Sequence, residues 1–210
     1  MTRLTKSKDT IINGPVEIEA VKSDVTVIIF NGPPGSGKDT LVDALCSDPD
    51  LKVSKSSFKS PLFKVAIALS GMAEEAFMQK YNDRDWKEAP WDELNGMSPR
   101  AFMIKISEEW TKPTLGESRF GYLAVQSVNN AENKIVLFSD GGFETEINTL
   151  KEAFGTDSVI LVRLHRDGCT FDGDSRNYIE PGDCICLDLK LTEGQVARAV
   201  KALKRFIIIN

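Results

Sequence analysis

The sequence predicts an α/β fold in which a parallel sheet lies between two layers of helices. Residues 25–30, 135–140 and 159–163 are short apolar runs rich in β-branched side chains, as buried strands are. Segments with helical spacing separate these runs, as the crossovers between parallel strands require. With 210 residues, the chain is long enough to bury a substantial core in one domain.

The composition is that of an ordinary soluble globular protein, with 41% hydrophobic residues, 27% charged residues and a net charge of -5. The negative net charge argues against a protein that covers nucleic acid without sequence specificity, but it allows a local basic groove. No apolar stretch approaches about 18 residues, and the charged N-terminus lacks an apolar signal core, so we expect no membrane partner. Four scattered cysteines predict buried reduced thiols in a reducing cytoplasm.

Residues 1–24 are polar and mixed in charge, and we expect an N-terminal extension before a domain that covers residues 25–210. A frayed terminus, an added edge strand or a partner-binding arm with Arg3, Lys6 and Lys8 would each fit this composition.

A glycine-rich loop, G-P-P-G-S-G-K over residues 32–38, follows the first strand and precedes a helical face. This strand–loop–helix context is that of a phosphate-binding loop. Glycines let successive amides point at phosphate oxygens, the helix adds its positive end, and Lys38 supplies a charge for the β- and γ-phosphates. We therefore expect ATP to be bound by the following residues: Gly32, Gly35, Ser36, Gly37, Lys38, Asp39 and Thr40.

The residue after the lysine departs from the usual pattern, because Asp39 stands there and the hydroxyl of Thr40 comes one position later. Either side chain is a candidate ligand of Mg²⁺, directly or through water. Asp39 alternatively complements the dipole at the start of the helix.

The next segments read as a turn over residues 47–50, a short strand over 51–54 and a helix in which Ser60 is the N-cap and Pro61 the first residue. Gly71 ends this helix, and another covers about residues 73–80. Residues 81–97 are charged, aromatic and irregular. Arg84 and Lys87 in this segment either face a substrate or belong to a solvated loop.

Ser98 and Pro99 begin a further helix, which breaks at residues 116–121 and resumes at 122–128. Arg100 and Arg119 therefore lie at helix starts or in a connecting loop, where guanidinium groups can bind an anion. Asp140 ends the second clear strand and is placed to meet Mg²⁺ or an acceptor, or else to cap the helix over residues 143–154.

Residues 164–182 read as a loop or flap in which Arg166 and Arg176 either close over phosphates or are solvated. His165 has no partner motif. A last strand over residues 184–189 leads to a capping box at Thr192 and Gln195, which opens the C-terminal helix.

Taken in order, these segments resemble the bacteriophage deoxynucleoside monophosphate kinases, a branch of the P-loop nucleotide kinases, over roughly residues 25–205. The match is carried by these sequence segments: G-K-D-T at the loop, F-K-S-P-L-F-K at 58–64, K-E at 87–88 with S-P-R at 98–100, S-D-G-G-F-E-T-E at 139–146, and Arg166 with D-S at 174–175. The resemblance implies a P-loop kinase three-layer sandwich, an acceptor-binding insert over about residues 73–130 and a flap over about 164–182.

Two departures leave a related activity open. Gly142 stands where the family usually has an arginine that touches the acceptor phosphate, and Arg176 stands where a histidine commonly follows D-S. A related group of phage P-loop kinases phosphorylates 5-hydroxymethyluracil within DNA. Such an enzyme needs a base near the acceptor hydroxyl, for which Asp140 and Asp39 are the candidates.

We therefore expect Mg²⁺-dependent transfer of the γ-phosphoryl group of ATP to a nucleotide. We expect the protein to be a monomer or homodimer in the cytoplasm, which is the host cytoplasm if a phage encodes it. DNA is the substrate under the alternative. In this scheme Lys87, Arg100 and Arg119 position the acceptor, and Arg166 and Arg176 neutralise developing charge. The contrasting class is a non-enzymatic nucleotide switch, although no N-K-x-D guanine motif is present.

Overall fold

Five parallel strands form one sheet in the order β2-β3-β1-β4-β5. The strands are β1 (Thr26–Asn31), β2 (Val53–Ser56), β3 (Ile135–Phe138), β4 (Val159–Arg166) and β5 (Ile185–Leu191). This computed structural model describes residues 24–141, 143–174, 176–180, 182–192 and 194–209, without the side chains of Arg84 and Ile209. The predictions for residues 1–23, Gly142 and Ser175 lie outside the described residues.

Helices connect the strands: α1 (Lys38–Cys46), α2 (Ser60–Ser70), α3 (Glu74–Asn82), α4 (Arg84–Lys87), α5 (Pro99–Ile104), α6 (Lys112–Leu115), α7 (Arg119–Asn129), α8 (Glu144–Phe154) and α9 (Val196–Ile209). A π-helical segment, Lys105–Thr111, joins α5 to α6, and 3₁₀ turns cover Asp92–Leu94 and Thr156–Ser158. In the described part of the chain, no helix is both long and apolar enough to cross a membrane.

The two faces of the sheet are covered by different helices, because successive residues of a strand point to opposite faces. Ile29 of β1 packs into a core with α7 and α8, whereas Ile28 packs into a core with α1 and α9. The predicted α/β sandwich is thereby confirmed. A third apolar cluster, built around the fully buried Phe77 and Trp91, lies among α2, α3 and α5.

The order of the strands places a crevice at the carboxyl end of β1. The chain crosses from β1 to the edge strand β2, returns through β3 beside β1, and continues with β4 on the opposite side of β1. Ligands of open α/β sheets bind at such a switch of direction. The glycine-rich loop, Asp140 and Arg166 all follow or end these three strands.

Residues 81–97 are more regular than the sequence indicated, because α4 and a 3₁₀ turn lie in the segment and Trp91 donates from the core to the carbonyl of Trp86 at 2.8 Å. Two other predictions about local structure are wrong. The flap begins later than residue 164, since β4 stays paired with β5 as far as Arg166. The cysteines are free, but Cys46 is exposed and not buried.

The helix starts agree only in part with the sequence. The hydroxyl of Ser98 accepts a hydrogen bond from the amide of Ala101 at 3.2 Å, which confirms the predicted cap of α5. Ser60 is the first residue of α2 and not its N-cap, which is Lys59. The chain turns earlier than predicted because Asp140 already binds the amides of Phe58 and Lys59.

Candidate functional site

The glycine-rich loop follows β1 and requires its glycines for two different reasons. Gly35 has φ of 77° and Gly37 has φ of 97°, a region that other residues rarely adopt. A Cβ atom on Gly32 would lie only 2.7 Å from the carbonyl oxygen of Leu164. The loop is therefore held close against β4 while its backbone curls ahead of α1.

Lys38 lies across the inside of this loop and is 8% exposed. Its Nζ atom donates to the carbonyls of Gly32 at 2.6 Å and Pro33 at 2.9 Å. Burial, reinforced by the nearby charge of Arg176, lowers the pKa of Lys38 to about 8. The ammonium therefore remains mostly protonated at neutral pH and presents a desolvated positive charge to any group that enters the loop.

Asp39 and Thr40 occupy the first turn of α1 and are both exposed. One carboxylate and one hydroxyl beside the glycine-rich loop fit Mg²⁺, which takes few protein ligands and completes its shell with phosphate oxygens and water. The position of Asp39 also suits interaction with the helix dipole, so the structure keeps both predicted roles open.

Asp140 is already occupied by three hydrogen bonds. Its carboxylate accepts from the hydroxyl of Ser57 at 2.7 Å and from the amides of Phe58 and Lys59, both at 3.0 Å. The alternative prediction that Asp140 caps the helix after β3 is wrong, because the N-cap of α8 is Phe143. Asp140 instead joins the end of β3 to the start of α2 and lines the adjacent pocket.

Asn31, at the end of β1, was missed by the sequence analysis. Its buried amide donates to the carbonyls of Gly141 at 3.2 Å and Asn177 at 3.1 Å, and its oxygen accepts from the amide of Ile179 at 3.1 Å. Asn31 thus connects the end of β1 to the two segments that carry Asp140 and Arg176. A polar residue between an apolar strand and a glycine loop is the only signal that the sequence offers.

The two arginines that the sequence placed in the flap reach different places. Arg166 donates to the carbonyl of Gly35 in the loop at 3.2 Å. Arg176 forms a bidentate pair with Asp174, at 2.9 and 2.7 Å, and both side chains are largely buried. The hydrogen bonds from Arg176 hold the pKa of Asp174 far below its usual range. The solvated alternative therefore does not describe Arg176, whose orientation is fixed.

A half-open pocket of about 160 Å³ lies beside the loop, between the sheet and the helices that follow β2. Its apolar walls are formed by Phe58, Leu62, Tyr81, Met103, Phe120 and Phe143. Its cationic groups are Lys59, Lys87, Arg100, Lys112 and Arg176. Arg176 lowers the pKa of Lys38 and also lines this pocket, so it lies between the loop and the pocket.

Two of these lysines lack a carboxylate partner among the described residues. Lys59 is partly buried, and burial followed by the charge of Arg176 lowers its pKa. Burial, and then the charge of Arg100, also lowers the pKa of Lys87, whose ammonium lies 5.0 Å from the ring of Tyr81. Because desolvated cations without counter-ions are costly, their convergence indicates an anionic ligand.

The other predicted acceptor residues divide into two groups. Lys87 and Arg100 both line the pocket, and Arg100 also contacts Glu88 at 3.4 Å. Arg119 lies at the start of α7 and does not line this pocket. Arg84 lies in α4, but its side chain is outside the described part of the structure.

Glu146 and Lys59 are pocket residues that the sequence analysis did not select. Burial, followed by repulsion from Asp140, raises the pKa of Glu146 to about 8, although its carboxylate accepts the amide of Phe143 at 3.3 Å. Both residues belong to the segments that carry the family resemblance, which was the available signal. Their burial could not be read from those segments.

The chain is similar to solved structures only at low sequence identity. No family model and no curated protein matches the chain. Similar solved structures include a sugar kinase from a Janibacter species (14% identity, TM-score 0.38, 86% of this chain and 95% of that one). A putative kinase from Chloroflexus aurantiacus is similar at 13% identity and a TM-score of 0.45, over 88% of this chain and 97% of that one. Shikimate kinase from Bacteroides thetaiotaomicron is similar at 12% identity and a TM-score of 0.41, over 87% of this chain and 98% of that one.

Proposed function

We propose that the protein is an ATP-dependent kinase that transfers the γ-phosphoryl group to a free deoxynucleoside monophosphate. The observation that carries this proposal is the pair Lys59 and Lys87, two partly buried lysines with lowered pKa values that line an aromatic-walled pocket beside the glycine-rich loop. An aromatic wall suits a base, and unpaired cations suit a phosphate. The deoxy form follows from the motif resemblance alone.

On the donor side, the loop amides and Lys38 would hold the β- and γ-phosphates of ATP. The Lys38 ammonium, which donates to two loop carbonyls, is already directed into the loop and has little freedom to lose on binding. When bound, Mg²⁺ would neutralise part of the phosphate charge, with Thr40 and Asp39 as its protein ligands. Arg166 supports the loop from outside through the carbonyl of Gly35.

On the acceptor side, Lys59, Lys87 and Arg100 would hold the monophosphate. Arg176, fixed by Asp174 between the loop and the pocket, would face the phosphoryl group in transit. Positioning and electrostatic stabilisation supply most of the catalysis in phosphoryl transfer. A fixed guanidinium at this point would neutralise charge in the transition state without a reorganisation cost.

A phosphate acceptor fits this pocket better than the hydroxyl group of a modified base in DNA. A hydroxyl acceptor needs a base, and Asp140 already accepts three hydrogen bonds. Glu146, with its pKa raised to about 8, is mostly protonated at neutral pH and cannot take a proton in that state. A phosphate oxygen needs no such base.

The test is transfer of label from γ-labelled ATP to two acceptor sets: free deoxynucleoside monophosphates, and DNA that contains 5-hydroxymethyluracil. We expect label in deoxynucleoside diphosphates and steady release of ADP. Label retained only in DNA would overturn the proposal in favour of a DNA kinase. Nucleotide binding without ADP release would indicate a switch.

Replacing Lys38 by alanine should lower kcat by at least about 100-fold, because a charge that acts on the transferred group is lost. Lys64→Ala, which changes an exposed lysine on α2, is the matched control. Urea unfolding of both variants separates loss of catalysis from loss of fold. Full activity in a folded Lys38→Ala protein would contradict the assignment of the loop.

A further inference from the structure

The carboxylate of Asp140 connects the end of β3 to the start of α2. Its Oδ2 atom accepts from the hydroxyl of Ser57 at 2.7 Å and from the amide of Lys59 at 3.0 Å, and its Oδ1 atom accepts from the amide of Phe58 at 3.0 Å. The amide of Lys59 also donates to the hydroxyl oxygen of Ser57 at 3.1 Å. We call Asp140 and these donors the α2 anchor. Both oxygens of the carboxylate are thus engaged by the protein itself.

The α2 anchor replaces a cap that the helix does not make for itself. The chain that enters a helix has amide groups without partners inside the helix. Lys59 occupies the N-cap position of α2, and its side chain makes no capping hydrogen bond because a lysine has no acceptor atom. Ser57 and Asp140 supply the acceptor oxygens instead. The position of Lys59 therefore depends on a carboxylate that comes from another strand.

Packing holds the same two segments together. The buried ring of Phe58 lies 4.5 Å from the ring of Phe138, measured between the ring centroids. Phe138 is the last residue of β3 and pairs with Ser56, the last residue of β2. The α2 anchor thus begins where the backbone ladder between these strands ends. Because the two segments are held by both contacts, a change at Asp140 should also displace Lys59.

The chain next to Asp140 lies directly against the strand that leads into the glycine-rich loop. The amide group of Asn31, at the end of β1, donates to the carbonyl of Gly141 at 3.2 Å. A Cβ atom on Gly141 would collide with the side chain of Ile29, so this position requires a glycine. A continuous set of contacts therefore leads from the end of β1, through Gly141 and Asp140, to Lys59.

The α2 anchor forms part of the wall of the acceptor pocket. Phe58, Lys59 and Asp140 line the pocket, whereas Ser57 does not. Burial and then the charge of Arg176 lower the pKa of Lys59, and the charge of Asp140 acts in the opposite direction. Asp140 therefore holds the backbone of Lys59 by hydrogen bonds and also favours the charged form of its side chain.

We propose that Asp140 is a positioning residue for the acceptor phosphate, an inference that rests on the proposed function. It acts through Lys59, because the α2 anchor fixes the backbone that carries this lysine at a set place relative to the glycine-rich loop. In this role Asp140 is neither a base nor a ligand of Mg²⁺, since both of its oxygens serve the anchor. Loss of the anchor should therefore weaken acceptor binding more than it slows phosphoryl transfer.

The experiment measures kcat and the acceptor KM in the full-length protein, with γ-labelled ATP and each of dAMP, dCMP, dGMP and dTMP. Asp140→Asn keeps one acceptor oxygen and should raise KM at least about fivefold, with kcat within about threefold. Ser57→Ala removes one bond of the α2 anchor without changing the pocket wall and should raise KM about threefold.

Ser70→Ala is the matched control, because it removes a hydroxyl from the opposite end of the same helix. This hydroxyl donates to the carbonyl of Ile67 at 2.8 Å and accepts from the amide of Met72 at 3.1 Å. The variant should leave the acceptor KM unchanged. An equal rise of KM in Ser70→Ala and Ser57→Ala would overturn the positioning role, since any weakening of α2 would then have the same effect.

A double-variant cycle shows whether Asp140 acts through Lys59. Lys59→Met should raise the acceptor KM at least about tenfold, and adding Asp140→Asn should raise it by no more than about twofold further, because residues that act as a unit are not additive. Fully additive effects would overturn the positioning role. A loss of kcat of about 100-fold or more in Asp140→Asn, with Ser57→Ala unaffected, would overturn it in favour of a base.

Amide hydrogen exchange, followed by NMR, tests the α2 anchor without a substrate. The amides of Phe58 and Lys59 should exchange at least about tenfold faster in Asp140→Asn than in wild type, and at the wild-type rate in Ser70→Ala. Unchanged exchange in Asp140→Asn would overturn this inference and leave the proposed function standing. Failure of the wild type to phosphorylate any of the monophosphates would overturn the proposed function, and with it the acceptor role of Asp140.

Discussion

Replacing Glu146 by glutamine tests the electrostatics of the acceptor pocket without requiring a substrate. The carboxyl group of this partly buried residue lies near Asp140, and desolvation followed by that charge raises its pKa from 4.5 to about 8. Glutamine keeps the shape and the oxygen that accepts the amide of Phe143 at 3.3 Å but cannot ionise. We expect the variant to lose a pH dependence of stability that the wild type shows.

The sign follows from proton binding in the two states. Between pH 4.5 and about 8 the folded protein keeps the proton on Glu146 and the unfolded chain releases it. The free energy of unfolding therefore decreases as pH rises through this window and levels off above the folded pKa. At 1.36 kcal/mol per pH unit, the full decrease is about 5 kcal/mol, an upper bound because the surroundings relax around a charge.

The assay is urea unfolding of wild type and Glu146→Gln at intervals from pH 5 to pH 9. The difference between the two proteins cancels the titration of other groups, and it should favour the variant increasingly as pH rises. Glu144→Gln, at an exposed position on the same helix, is the control and should show no such trend. Parallel curves for wild type and Glu146→Gln would refute the assignment of a buried protonated carboxyl.

Two further predictions concern the connections that assemble the site. Asn31→Ala removes three hydrogen bonds and leaves the amide of Ile179 and two carbonyls without these partners. Urea unfolding should therefore show that the free energy of unfolding falls by at least about 2 kcal/mol. A decrease below about 0.5 kcal/mol would contradict the proposed connections. Asp174→Asn removes the charge that orients Arg176, and kcat should fall about tenfold or more while the Kd of a fluorescent ATP analogue stays within about twofold. A weakened Kd with an unchanged kcat would place Arg176 on the donor side instead.

The glycine-rich loop shows why part of this site can be read from the sequence. The loop depends on residues that are adjacent in the chain: a strand, glycines at fixed spacing, a lysine and a helix. The positive φ values of Gly35 and Gly37 and the inward direction of Lys38 agree with that local reading. The strands were predicted for the same reason, because the apolar periodicity that defines them is local.

The acceptor pocket shows where sequence reading fails. Lys59 and Arg176 are 117 positions apart, and Glu146 lies on a third element, so no local pattern indicates that they share a pocket. Arg100 and Arg119 have similar local contexts, yet Arg100 lines the pocket and Arg119 does not. For Asp140 the sequence left two roles open, a site role and a cap of the following helix; the cap is not formed, and the carboxylate instead binds amides 82 and 81 positions earlier in the chain.

The sequence by itself therefore determined the α/β fold class and the position and shape of the glycine-rich loop, because both follow from the spacing of neighbouring residues. Only the tertiary structure decided which charged side chains lose their water and their counter-ions. The packing lowers the pKa values of Lys59 and Lys87, raises the pKa of Glu146 and pairs Arg176 with Asp174. The physical reason is that desolvation and charge pairing depend on the packing of segments that are distant in the chain.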